Sequence, residues 1–166
     1  MITQDFKSDY PVSLLHTVHS HGWVQLPPWQ WDHSSKTLSR IDPISNNRLT
    51  RISVSQVGTK LFRLRVDSQC IHAEELDRIL FTVKRWLSLD WDPSDAILVS
   101  APLDPNVSLF IKQGGGRFLR CSTFYEDLAK TICTINTNWK STIRMCSQLV
   151  KRLGLNSFPK PKVVMA

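Results

Sequence analysis

The sequence predicts an α+β chain, with an antiparallel β-sheet first and helices after it. Three observations carry this. Over residues 10–70 the apolar residues alternate with period two or run β-branched between turn signals. After Cys70 the period changes to 3.6. The segments that follow open and close with capping residues. The chain reads as two parts: residues 1–90, a sheet subdomain with a closing helix, and residues 91–166, a helical subdomain that contains the Asn136–Trp139 turn.

The strand candidates come in order. Val12–Val18, Trp23–Leu26, Arg51–Val57 and Lys60–Val66 carry the alternation. Pro27-Pro28, the stretch from Asp42-Pro43 to Asn46-Asn47, and Gly58-Thr59 separate them as turns. Residues 51–66 read as a hairpin turning at Gly58, with Ile52, Val54, Leu61 or Phe62, Leu64 and Val66 on its apolar face. Two prolines cannot donate to a ladder, so Pro27-Pro28 marks an edge or a crossover.

The helices follow. Leu76, Ile79, Leu80, Val83, Trp86 and Leu87 make one stripe. Asp92-Pro93-Ser94-Asp95 starts a second helix, with acid near its positive end. Gln113-Gly114-Gly115-Gly116 reads as a flexible break. Thr123 and Glu126 have capping-box spacing before the stripe Phe124, Leu128, Thr131, Ile132, Ile135. After Asn136-Thr137-Asn138 a last helix carries Trp139, Ile143, Cys146, Leu149, Val150 and Leu153, and Gly154 ends it. Phe158-Pro159 through Ala166 reads as a linker entering another helix.

Composition bounds the function. With 166 residues, 42% hydrophobic and 21% charged, the chain has the make-up of a folded domain rather than a disordered one. No window approaches the ~20 apolar residues of a membrane helix, and the first residues lack a signal pattern. The expectation is a soluble intracellular protein without a membrane partner. Cys70, Cys121, Cys133 and Cys146 show no C-x-x-C pair and read as reduced thiols. His16, His19 and His21 lack a second ligand cluster, so no metal and no cofactor is expected.

Charge is concentrated toward the end of the chain. Of 21 Lys and Arg, ten lie in residues 112–166, against only Glu126 and Asp127 there. A polyanion is the natural partner of such a segment, and a solvated basic face is the alternative. Gly114-Gly115-Gly116-Arg117 is no phosphate loop, because no Gly-Lys-Ser/Thr follows. No Ser/His/Asp or Cys/His arrangement stands out, and no catalytic residue is assigned. The sharpest feature is the helix–turn–helix at 123–154. Its amide-bearing turn lies among Lys130, Lys140, Arg144, Lys151 and Arg152 in sequence. An amide turn hydrogen-bonds its own backbone; amid basic residues it also suits base edges or the gap left by an extruded base.

Gly116-Arg117-Phe118-Leu119-Arg120, Phe124-Tyr125-Glu126-Asp127-Leu128, Thr131–Thr134, Asn136-Thr137-Asn138-Trp139, Leu149-Val150 and Gly154…Phe158-Pro159 resemble the helix-hairpin-helix (HhH-GPD) DNA glycosylases, nearest the 8-oxoguanine and 3-methyladenine branch. Gly22-Trp23…Leu26-Pro27-Pro28…Trp31 and Leu87–Asp90 resemble that family's N-terminal sheet domain. The resemblance implies a base-excision-repair protein whose turn Asn136–Trp139 props open the lesion site of double-stranded DNA. Ile135 stands where the family pattern calls for a polar residue. Asn136, Thr137, Asn138, Trp139, Lys140, Arg144, Arg117 and Arg120 are the DNA-binding candidates. The family's catalytic Asp, with or without a Lys, and its Leu-Pro-Gly-x-Gly hairpin lie well beyond that turn, and neither is found in this sequence. The expectation is therefore the DNA-engaging front portion of a glycosylase, truncated or split, with the missing half as a possible second chain. The alternatives are a non-catalytic nucleic-acid module on the same scaffold and a protein-interaction domain. The compartment follows the DNA: the nucleoid in a prokaryote, the nucleus in a eukaryote.

Overall fold

Alternating residues on either side of Gly58 build the central hairpin. In the computed structural model, which describes residues 1–45 and 48–153, β4 (Arg48–Gly58) and β5 (Leu61–Val66) pair antiparallel, with Val54 opposite Leu64 and Ile52 opposite Val66. These four and Phe62 point to one face and are buried. Three further strands extend the pair: β1 (Ile2–Lys7), β2 (Gln30–Asp32) and β3 (Thr37–Ser45). The order is β1-β5-β4-β3-β2, all antiparallel.

Against the buried face packs α2 (Ala73–Trp86), through Ile79, Val83 and Trp86. Leu119, from the loop after the glycines, joins the same core. The other described helices are α1 (Leu14–Val18), α3 (Ser94–Ser100), α4 (Pro105–Lys112), α5 (Phe124–Thr134) and α6 (Trp139–Leu153). A five-stranded antiparallel sheet with six helices among the described residues makes the chain α+β. None of these helices is long and apolar enough to cross a membrane.

Several elements differ from the sequence expectation. Val12–Val18 is not a strand: Ser13 caps α1 by accepting from the His16 N–H, and Leu14 and Val18, one turn apart, are both buried. Trp23–Leu26 is a single 3-10 turn ending at Leu26. Asp42-Pro43 is not a turn but part of β3, with Asp42 opposite Thr50 and Pro43 opposite Leu49. Residues 92–112 hold two helices rather than one. Gly154 and the residues after it lie outside the described residues.

The glycine stretch is packed rather than loose. Gly114 adopts φ +94°, and its carbonyl accepts the Ser13 N–H at 3.0 Å. A Cβ there would sit 2.6 Å from the Val12 and Ser13 backbone, and one on Gly115 would sit 2.3 Å from the Phe110 ring. Glycine is required because two pieces of chain approach too closely for a side chain.

Candidate nucleic-acid interface

The asparagine turn is built by its neighbours. Asn138 precedes α6 and caps it: Oδ1 accepts the Ser141 N–H at 2.9 Å. The Thr137 and Thr142 hydroxyls lie 3.0 Å apart, and each donates to the Cys133 carbonyl at 3.0 Å, closing the turn onto the end of α5. Trp139 reaches back to the 3-10 turn, where Nε1 donates to Gln25 Oε1 at 2.8 Å and the indole covers Gly22. Asn136 itself is exposed at φ 53°, and its side chain makes no hydrogen bond with the described residues. The left-handed position is one that asparagine tolerates better than most residues. Lys140 and Arg144 are exposed one turn apart on α6, near the same end.

The other two basic candidates lie elsewhere. Arg117 is 3% exposed. Its Nη1 donates to the Ser88 and Trp91 carbonyls and its guanidinium lies 5.2 Å from the Trp91 ring centroid. It holds the end of α2 to the following loop and offers nothing to a phosphate, which corrects the expectation for this residue. Arg120 sits in that same loop, half-exposed, and is bidentate to Asp90 at 2.9 and 3.1 Å. The structure thus gathers six of the eight candidates at the α5–α6 turn.

The apolar stripe of α5 faces outward: Phe124 is 73% and Ile132 59% exposed, and Leu128 and Ile135 are exposed too. The buried face carries Glu126 and Lys130 instead. Arg40 of β3, 4% exposed, forks onto both Glu126 oxygens at 3.2 and 2.9 Å and donates through Nε to Asp42 at 2.8 Å. Lys130, also 4% exposed, donates to Glu126 at 2.8 Å and to Cys121 Sγ at 3.4 Å. Ser122 links Asp42 to Trp86 Nε1, and Trp29 and Trp86 flank the guanidinium. Glu126 is therefore spent on the sheet. Only half of the expected capping box forms, with Thr123 accepting the Glu126 N–H.

Burial alone raises carboxyl and thiol groups, and Cys121 and Asp42 follow it upward, Asp42 against the pull of Arg40. At Glu126 burial is outweighed by Arg40 and Lys130, which hold its carboxyl down at about 2. Two cations and two carboxylates balance here. The network is a strut between β3 and α5, not a set of poised catalytic groups. Beside it runs an apolar groove of about 290 Å³, between Pro27-Pro28, β3, Tyr125 and Ala129 of α5, and Leu149 and Leu153 of α6.

The histidines serve packing. His19 stacks with His33 and meets Trp31 edge-on, and His21 lies between Trp23 and Phe118. Among the described residues no group of three His, Cys, Asp or Glu side chains is placed to hold a metal ion, and the four cysteines are free.

The fold as a whole is similar to that of a solved structure. The chain is similar to the 3-methyladenine DNA-glycosylase from Archaeoglobus fulgidus, with a TM-score of 0.69 and 14% identity. The fold is DNA-glycosylase-like. The likeness covers 92% of this chain and 53% of that one, so this chain spans about half the neighbour's length. At such identity the likeness is one of fold. No family model matches the sequence, and no curated protein matches it.

Proposed function

We propose that this chain is the DNA-engaging portion of a base-excision DNA glycosylase and that the α5–α6 turn is the part that enters damaged duplex DNA. One observation carries the reading. Asn136 is presented at an exposed left-handed tip held from behind by Thr137, Thr142 and Trp139, while its own amide is left for a partner. A tip of this kind fills an opened base stack without being pulled from its place. Lys140, Arg144 and the N-terminal N–H groups of α6 supply phosphate contacts beside it. Glycosidic cleavage needs a carboxylate set against the sugar, and no residue of this chain is given that role. The catalytic groups come from a remainder of the fold, in the same polypeptide or a second one. The outward stripe Phe124, Leu128, Ile132 and Ile135 supports such a partner, since a row of large apolar side chains on one helix face calls for cover. Its place of action is wherever the genome lies.

Fluorescence anisotropy on matched duplexes and on duplexes with an abasic gap tests the reading. The parent binds the gapped duplex more tightly, because opening the stack there costs least. Equal binding to both, unchanged by Asn136→Gly, overturns the role of the tip. Binding without preference but lost on removing Lys140 and Arg144 would favour a non-catalytic nucleic-acid module.

A further inference from the structure

The outer face of the sheet carries a trough remote in sequence from the α5–α6 turn. Register alone builds it. Leu38, Val54 and Leu64 point to the core, so their neighbours point outward: Ser39 opposite Ser53, and Thr37 opposite Ser55. The flanking strands carry longer side chains at the same level. Gln30 and Asp32 of β2 lie opposite Ser39 and Thr37, and Arg65 and Arg63 of β5 lie opposite Ser53 and Ser55. Short hydroxyl residues along the middle strands, with long ones on both sides, leave a cavity of about 470 Å³.

Its polar groups are unequally committed. Arg63 is paired with Asp5 at 2.8 Å, and Arg51 donates to Gln30 at 2.6 Å on the rim. Asp32, which also lines the cavity, accepts the Ser34 and Ser35 N–H groups at one oxygen. Arg65, which lines the cavity and is exposed, makes no ion pair among the described residues, and the Ser39 and Ser53 hydroxyls beside it make no hydrogen bond among them. Asp67 completes the wall.

We propose that this trough binds a sugar phosphate. The planar guanidinium of Arg65 and two hydroxyl donors suit a phosphate, whose oxygens take several donors at once. Asp67 and the Gln30 amide suit sugar hydroxyls, which need acceptors as well as donors. The apolar part of the lining is limited to Met1 and Trp31. A simple polyanion would meet the Asp32 and Asp67 carboxylates as well as Arg51 and Arg65. The volume falls in the range of small-ligand sites and admits a unit of nucleotide size. A free sugar phosphate and the backbone of a single nucleic-acid strand share this chemistry.

Titrating the 166-residue chain with ribose 5-phosphate, ribose, inorganic phosphate and a short single-stranded oligonucleotide, followed by backbone amide NMR, tests the site. Ribose 5-phosphate is expected to shift Ser39, Ser53 and Arg65 together and to saturate below the concentrations of phosphate or ribose that do so. Arg65→Gln removes a charge-assisted contact and weakens binding about ten-fold. Ser53→Val fills the floor and abolishes it. Both positions lie on the outer face, so the variants keep the parent's melting temperature. Tighter binding of the oligonucleotide than of the monomer identifies a strand as the ligand; equal binding identifies a free sugar phosphate. Shifts scattered over all basic residues, no saturation, or unaltered binding by Arg65→Gln overturn the proposal.

Discussion

Trp139 Nε1 donates to Gln25 Oε1 at 2.8 Å, tying the α5–α6 turn to the 3-10 turn 114 residues earlier in the chain. The indole also lies over Gly22, where a Cβ would stand 3.0 Å from its ring. The turn is thus positioned from the sheet side, not only by the hairpin it belongs to. Gln25→Ala removes the acceptor and is expected to cost about 1 kcal/mol of stability. It should also reduce the preference for gapped duplex while leaving the salt dependence of binding intact, since no charge changes. Chemical denaturation and anisotropy at several salt concentrations measure both. A parent-like preference in Gln25→Ala would mean that the clamp does not matter to the tip.

The two asparagines separate into different roles. Asn138→Ala loses the α6 cap and should destabilise by ~1 kcal/mol. Asn136→Gly keeps the left-handed backbone and removes only the side chain, so stability should hold within a few tenths of a kcal/mol. Denaturation midpoints distinguish them. A large loss from Asn136→Gly would show that its side chain serves the fold.

Salt dependence sorts the basic residues. Replacing Lys140 or Arg144 by Ala should lower the log–log slope of DNA binding by ~0.9 each. Arg120→Ala should lower it less, because Asp90 already holds that guanidinium. Arg117→Ala should leave the slope alone and lower the melting temperature, since two buried carbonyls lose their donor.

Acid should loosen the strut at Glu126. Its carboxyl, ordinarily near 4.5, is held at about 2 in the folded chain. A depressed carboxyl contributes stability above the unfolded value and loses it as pH falls through the folded one. The contribution, about 3 kcal/mol at most, therefore fades between pH ~4.5 and ~2. Asp42 has the opposite sign: burial raises it, so protonation relieves a penalty and offsets part of the loss. Melting temperature against pH should fall less steeply in that window for Glu126→Gln than for the parent. Parallel curves would exclude Glu126 as the source.

The chain alone should release no base. Single-turnover assays on duplexes holding 8-oxoguanine or 3-methyladenine, with protein in excess, should match the protein-free control. Each ~1.4 kcal/mol of missing transition-state stabilisation is a tenfold loss of rate. Release that survives repurification would reveal a catalytic residue among those present.

The elements that could be read from the sequence are those whose apolar period matches their burial. The β4–β5 hairpin and α2 bury the residues that periodicity selects, and α6 buries Cys146 from its stripe. β3 was hidden because its core-facing side includes Arg40 and Asp42, charges that pattern reading sends to the surface. β1 was hidden because Phe6 is its one buried residue. α5 was legible as a helix with an apolar stripe, but what turns its other face inward was not: Arg40 on β3 captures Glu126 86 residues away, and no local pattern reports such a partner. Of the candidate site, the turn and its two nearby cations were legible. The Gln25 clamp and the burial of Arg117 were not, because both depend on tertiary neighbours.

The first strand of the chain lies against the last strand of the sheet. β1 pairs with β5 from Ile2–Val66 to Lys7–Leu61, and Phe6 stacks on Phe62 at 5.5 Å. During synthesis the opening residues thus wait for some sixty more before they find their place, while the β4–β5 hairpin closes locally as it emerges. Until β1 docks, β5 presents an open row of backbone donors and acceptors to any neighbouring chain. Deleting residues 1–7 would prolong that exposure into the finished protein. β1 thus takes the sheet's edge from β5, whose Phe62 and Leu64 are fully buried, and sets the exposed Asp5 and Lys7 there instead.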